Sequence, residues 1–265
     1  MNQYSFILSS VRALVVRPSP FAQQLTEAIK QQGGYAYALP MQEIIPTATN
    51  LIIEQLNTNL KIDRVIVTSR FAAKYGIPAL KSGWQQFDSI KKWYCLGVGT
   101  SIELNELGIS ASYSNSGVTS EDLLQSKEFS FENIQKQNIL IIKGNNGRKT
   151  LYNTLKCRQA NVVSLETYSR KPLSYCQKSI TKLIQKNNFN CIVCGNHEAL
   201  KNLCNFLPMS YRNKYILILP SLRQVNLAIK LGFINSCYIN GMSNNNIIAK
   251  LYEQQNLLRL RNEKK

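Results

Sequence analysis

Ala13–Pro46 reads ALVVRPSPFAQQLTEAIKQQGGYAYALPMQEIIP, and Ile139–Pro172 reads ILIIKGNNGRKTLYNTLKCRQANVVSLETYSRKP. The two stretches share one layout, the second lying about 126 residues behind the first. Each opens with a four-residue apolar run, then a cation (Arg17, Lys143), a turn, an amphipathic helical pattern and a second β-rich run. The match continues outward. Asp63–Leu80 (DRVIVTSRFAAKYGIPAL) pairs with Asn190–Leu207 (NCIVCGNHEALKNLCNFL), and Tyr94–Leu124, with Gly97 and Gly108, pairs with Ile218–Ile248, with Ser221 and Gly232. Self-similarity at a fixed period means two similar domains, with a ligand cleft expected between them.

The apolar runs Ala13–Val16, Val65–Val67, Tyr94–Leu96, Ile139–Ile142, Cys191–Cys194 and Tyr215–Leu219 have the length and composition of buried parallel strands. Helical patterns separate them. Phe21, Leu25 and Ile29 recur at i, i+4, i+8, Leu151 and Leu155 share a face, and Ile102, Leu104 and Leu107 are expected to line another helix. Strands alternating with helices of this length make an α/β chain with parallel sheets. Ser19 is expected to cap the first helix and Gly33-Gly34 to end it. Thr119–Asp122 and Ser243–Asn246 carry the capping side chains of two further helix starts.

A formal net charge of +17 admits a polyanionic partner or a general drift toward lysine, and the lysines are scattered rather than striped. Arg259–Lys265 (RLRNEKK) reads as a solvated tail. No apolar run approaches the ~18 residues that span a bilayer, and Met1–Val11 lacks the pattern of a signal peptide. Seven cysteines without regular spacing read as reduced thiols, so the expected location is the cytoplasm.

Lys143–Thr150 (KGNNGRKT) follows a strand and opens a helix, but only two residues separate its glycines where a Walker A loop has four. What remains is either a turn whose helix-start amides hold an anion beside Lys143, Gly144 and Arg148, or a purely structural turn. Cys191 and Cys194 have metal-site spacing but stand in an apolar strand, where i and i+3 face opposite sides, so core packing is expected. His197 is the sole histidine, which excludes a histidine-based metal cage, and no metal is expected. Thr68-Ser69 and Thr100-Ser101 are expected just beyond strand ends, where α/β sheets bind ligands, although such residues also cap helices.

Taken together, Leu14–Pro20 (LVVRPSP), Val67–Ala73 (VTSRFAA), Leu96–Ser101 (LGVGTS), Thr119–Leu124 (TSEDLL), Ile141–Leu151 (IIKGNNGRKTL), the ETYSR around Tyr168, Leu219–Phe233 and Asn240–Leu251 resemble the uroporphyrinogen-III synthases. The resemblance runs from about Ala13 to Glu253. It departs from the family in two places. Gly195-Asn196 stands where a hydroxyl pair is usual, and Lys143 stands for an arginine, keeping the charge but losing the bidentate fork.

The resemblance implies two intertwined Rossmann/flavodoxin-like parallel-sheet domains joined by a two-stranded hinge. Residues 11–39 with 174–253 would form one domain and 48–164 the other. Connectors would run over 40–47 and 165–173, with a basic tail at 254–265. It implies cyclisation of hydroxymethylbilane with inversion of its last ring and loss of water, without a cofactor. Tyr168, facing the cleft at the hinge with Arg170, would protonate the departing hydroxyl directly or through water. Arg17, Lys143 and Arg148 would contact substrate carboxylates, and Thr68, Ser69, Thr100 and Ser120 would bind with backbone amides. The expected partner is this small polycarboxylate alone, with neither nucleic acid nor membrane. The chain would be a monomer that receives its substrate in a transient handover from hydroxymethylbilane synthase. Two other readings compete: a periplasmic-receptor-like anion binder, which would need a secretion signal, and a nucleic-acid binder, which would need a basic stripe with interleaved aromatics.

Overall fold

The computed structural model of the chain describes residues 8–56, 61–114, 117–145, 147 and 149–255. In chain order its strands are β1 (Arg12–Val16), β2 (Tyr35–Ala38), β3 (Gln42–Pro46), β4 (Arg64–Val67), β5 (Trp93–Cys95), β6 (Asn138–Gly144), β7 (Asn161–Pro172), β8 (Cys191–Cys194), β9 (Ile216–Leu219) and β10 (Ser236–Tyr238). They form two five-stranded sheets, ordered β10-β9-β8-β1-β2 and β3-β7-β6-β4-β5. The chain divides into two compact units, Met1–Glu43 with Lys171–Lys265, and Ile44–Arg170. It leaves the first unit in β3 and returns to it in β7, and these two strands are neighbours in the second sheet.

The internal repeat survives at the level of single hydrogen bonds. The parallel pair β1–β2 places Ala13 beside Ala36, and its counterpart β6–β7 places Ile139 beside Val162. The Asn190 side chain accepts the Arg12 amide at 2.9 Å, and Asp63, at the equivalent point, accepts the Asn138 amide at 2.8 Å. Beyond the strands, the Gly195 amide donates to Val16 O and the Thr68 amide to Ile142 O. The same backbone problem, pairing the first amide of a central strand's neighbour, is solved twice with a short polar side chain.

Both faces of the first sheet are buried, as parallel packing between helices requires. Leu14, Val16, Ile192, Cys194, Leu217 and Leu219 belong to one apolar cluster, and Ala13, Val15, Cys191, Val193, Ile216 and Ile218 to the other. Cys191 and Cys194 thus pack on opposite faces, as their spacing along a strand dictates. In the second unit, Ile66, Ile139 and Ile141 pack with Leu151, Leu155, Leu123, Leu124 and Phe129. The helix Arg70–Gly83 approaches β6 and β7 closely at Gly76, where a Cβ would lie 2.8 Å from both Ile142 and Thr167 side chains.

Helix termini follow the sequence in most places. Thr119 and Asp122 form a reciprocal capping box, and Ser243 accepts the Asn246 amide. Gly33, at φ +80°, follows the end of the helix Phe21–Gln31. Ser19 does not cap that helix: Pro20 occupies the N-cap position, and the Ser19 hydroxyl instead accepts from the Gln23 side chain at 2.9 Å. Ile102 is also corrected. It is 51% exposed while Leu104 is fully buried, because residues two apart lie on opposite sides of the helix Val98–Glu106. No helix among the described residues is long and apolar enough to cross a membrane.

Candidate functional site

In the second unit, polar side chains gather at the carboxyl ends of β4, β6 and β7, where open α/β sheets bind ligands. Ser69 ends the turn after β4 as the N-cap of the helix Arg70–Gly83, its hydroxyl accepting the Ala72 amide at 3.1 Å. The same oxygen lies 3.0 Å from the hydroxyl of Tyr168 on β7. Arg170, two residues along β7, donates from Nη2 to that phenol oxygen at 2.7 Å, and its guanidinium carbon lies 5.1 Å from the Tyr168 ring centroid.

The position of the Tyr168 ring is explained by what lies beneath it. The β6–β7 register shifts between Lys143 and Gly144, so that Gly144 rather than Asn145 pairs with Tyr168. A Cβ on Gly144 would stand 2.5 Å from Tyr168 Cζ and 2.8 Å from both Cε atoms. Phe71 covers the ring from the adjoining helix, with centroids 5.7 Å apart. Tyr168 is consequently 1% exposed. Within its own unit the ring is enclosed by Gly144, Phe71 and Arg170, and the partly exposed member of the pair is Ser69.

The remaining predicted residues divide. Lys143 lies on β6, its Nζ 3.2 Å from Glu166 Oε1 on β7, a partly exposed pair of the sort that contributes roughly 0–1 kcal/mol. Gly144 seats the Tyr168 ring, and the next amide, that of Asn145, donates to Tyr168 O at 2.8 Å. Thr68 donates both its amide and its hydroxyl to Ile142 O, so the expected free amide is engaged in the sheet. Thr100 is 3% exposed, in the first turn of its helix. Its amide is bonded to Gly97 O and its hydroxyl to Leu96 O. Ser120 is buried at the first position of the helix Ser120–Leu124. Arg148 lies outside the described residues.

Arg17, in the first unit, is 5% exposed. Its guanidinium donates to Met242 O at 3.0 Å and Asn244 Oδ1 at 3.4 Å, tying β1 to the start of the helix Asn244–Glu253, and it lies over the Phe21 ring. Sequence reasoning missed a polar group nearby in the same unit. Asn196, one repeat on from Ser69, is the N-cap of the helix His197–Cys204 and accepts the Ala199 amide at 2.9 Å. Its amide nitrogen donates to Gln42 Oε1 at 3.0 Å, and Gln42 donates in turn to Glu198 Oε2 at 3.1 Å. Gln42 precedes Tyr168 by the repeat length, so the Ser69–Tyr168 pair and the Asn196–Gln42 pair are equivalents. The repeat offset was the signal that could have found them. Among the described residues, no group of three or more His, Cys, Asp or Glu side chains could hold a metal ion.

Comparison with known proteins shows the family. The family model described as "Uroporphyrinogen-III synthase HemD" matches residues 23–227. The chain is similar to the uroporphyrinogen-III synthase of Proteus mirabilis, with 32% identity over 72% of this chain and 96% of that protein. It is also similar to that of Escherichia coli K12, with 27% identity over 83% and 91%. In fold it resembles the crystal structure of a mutant uroporphyrinogen III synthase from Thermus thermophilus, with a TM-score of 0.62 and 12% identity over 93% of this chain and 99% of that one.

Proposed function

Because this chain belongs to the uroporphyrinogen-III synthase family, we propose that it closes hydroxymethylbilane to uroporphyrinogen III, inverting the last ring and releasing water. The observation that carries this reading is the family match across residues 23–227. The reaction suits the side chains present. Hydroxymethylbilane closes readily without inversion, so the protein's task is to hold a flexible chain in one geometry and to stabilise a cationic azafulvene and a strained spiro intermediate. Such a task needs distributed donors and one acid rather than a metal or paired carboxylates.

Tyr168 is the acid in this reading, the source of the proton that the departing hydroxyl takes. Ser69 stands beside it, and Lys143 and Arg148 supply positive charge for the substrate carboxylates. The enzyme works as a cofactor-independent lyase and a monomer in the cytoplasm, taking its unstable substrate by transient handover from hydroxymethylbilane synthase. Complementation tests the function. In a bacterium lacking its own uroporphyrinogen-III synthase, expression of this chain should restore growth without added haem. Folded chain that accumulates without restoring growth would count against it.

A further inference from the structure

One polarity of the hydrogen bonds around Tyr168 gives every donor among the described residues an acceptor. A guanidinium has donors and no acceptor, so Arg170 Nη2 must donate to the phenol oxygen at 2.7 Å. A backbone amide can only donate, so Ala72 N must donate to Ser69 Oγ at 3.1 Å. The phenol carries one proton, and among the described residues Ser69 Oγ, 3.0 Å away, is the acceptor within its reach. A serine oxygen has two lone pairs, and the Ala72 amide and the phenol fill both. The hydroxyl proton of Ser69 is then directed away from Tyr168 and from the helix. Burial agrees with this direction, since Tyr168 is 1% exposed and Ser69 is partly exposed.

We propose that Tyr168 acts through Ser69, whose hydroxyl delivers the proton to the substrate, and that Arg170 is the positioning residue that holds the phenol oxygen and the charge left on it. This rests on the synthase reading. In the first step the bond between the hydroxymethyl carbon and its oxygen breaks, and that oxygen takes the Ser69 proton and leaves as water. Ser69 Oγ takes the Tyr168 proton. The electron pair of the broken bond departs with the water, which leaves the cationic azafulvene on the substrate and the phenolate under the Arg170 guanidinium. When the closed ring regains its aromaticity, the proton that it sheds returns through Ser69 to the phenolate, and both residues are reset. Ser69 is therefore the catalytic contact. Tyr168 supplies an acidity that an aliphatic hydroxyl lacks, and Gly144 and Phe71 keep the phenol dry and fixed.

Ser69 also caps a helix, so the test uses a replacement that keeps the cap. Ser69→Asn places at this position the residue that already caps the equivalent helix as Asn196, while removing the hydroxyl. Ser69→Asn and Tyr168→Phe should each lower kcat for isomer III by about 100-fold or more, the usual scale of a general acid. The double variant should be no slower than either single one, because both lie on one proton path. Ser69→Thr should retain activity within a few-fold. Arg170→Gln should lower kcat with KM unchanged, and Arg170→Lys should recover part of the loss. If Ser69→Asn stays within threefold of wild type while Tyr168→Phe is slow, or if the two losses multiply in the double variant, the relay is overturned and the synthase reading stands. Wild-type protein that forms no isomer III would overturn both.

Discussion

Gly144 and Tyr168 meet across β6 and β7 at a separation that only a missing side chain allows. Gly144→Ala would drive a methyl into the ring, 2.5 Å from Cζ, and either the ring or the register shift after Lys143 must give way. The expected cost is about 1–3 kcal/mol, the range of overpacked cores, readable as a lower denaturant midpoint. A loss of activity larger than the loss of folded protein should accompany it, because the phenol would leave Ser69. A midpoint and a kcat both at wild-type values would show that the ring is not seated as described. The sequence made Tyr168 visible through its strand-end setting and the family resemblance. The constraint on Gly144, whose loop reads either as a turn around an anion or as a purely structural turn, comes from a ring on the neighbouring strand. Arg17 and Thr100 carry a related ambiguity. A cation or hydroxyl near a strand end has the same local signature whether it faces a ligand or bonds the next loop, and only tertiary partners such as Met242 O and Leu96 O decide.

The two N-caps after β4 and β8 show how the repeated elements diverged. Ser69 and Asn196 occupy equivalent positions and accept the same third amide of their helices. One is attached to a phenol and the other to the amide of Gln42. Asn196→Ala should destabilise the chain by about 1 kcal/mol, the typical value of a lost N-cap, and Asn196→Ser should recover most of that. Equal midpoints for wild type and Asn196→Ala in urea would contradict the capping role. Strand positions were legible because a parallel strand buried on both faces must be an apolar run. Helix faces were less so where the helix is short: over nine residues from Val98 to Glu106, Ile102 could be placed on the wrong side without upsetting the pattern. The repeat itself was legible in full, down to Asp63 and Asn190, since homologous backbones pose homologous pairing problems.

At the scale of the whole molecule, the buried thiols set an alkaline limit. Burial pushes the thiols of Cys95, in the second unit, and Cys194, in the first, from 9.0 up to about 12, and that of Cys191, also in the first, is raised as well. As pH rises through about 9, the unfolded chain sheds these protons first while the folded chain retains them. Stability is therefore complete below that pH and declines until the folded thiols titrate near 12. Urea midpoints measured from pH 8 upward should fall across this window, and a flat profile would contradict the assigned burial. Above all, a uroporphyrinogen-III synthase dictates which ring isomer forms. Hydroxymethylbilane supplied to the purified chain, with the product oxidised and its isomers separated by chromatography, measures that choice. Isomer III in proportion to added protein is the predicted result, and isomer I alone, at the rate seen without protein, would contradict it.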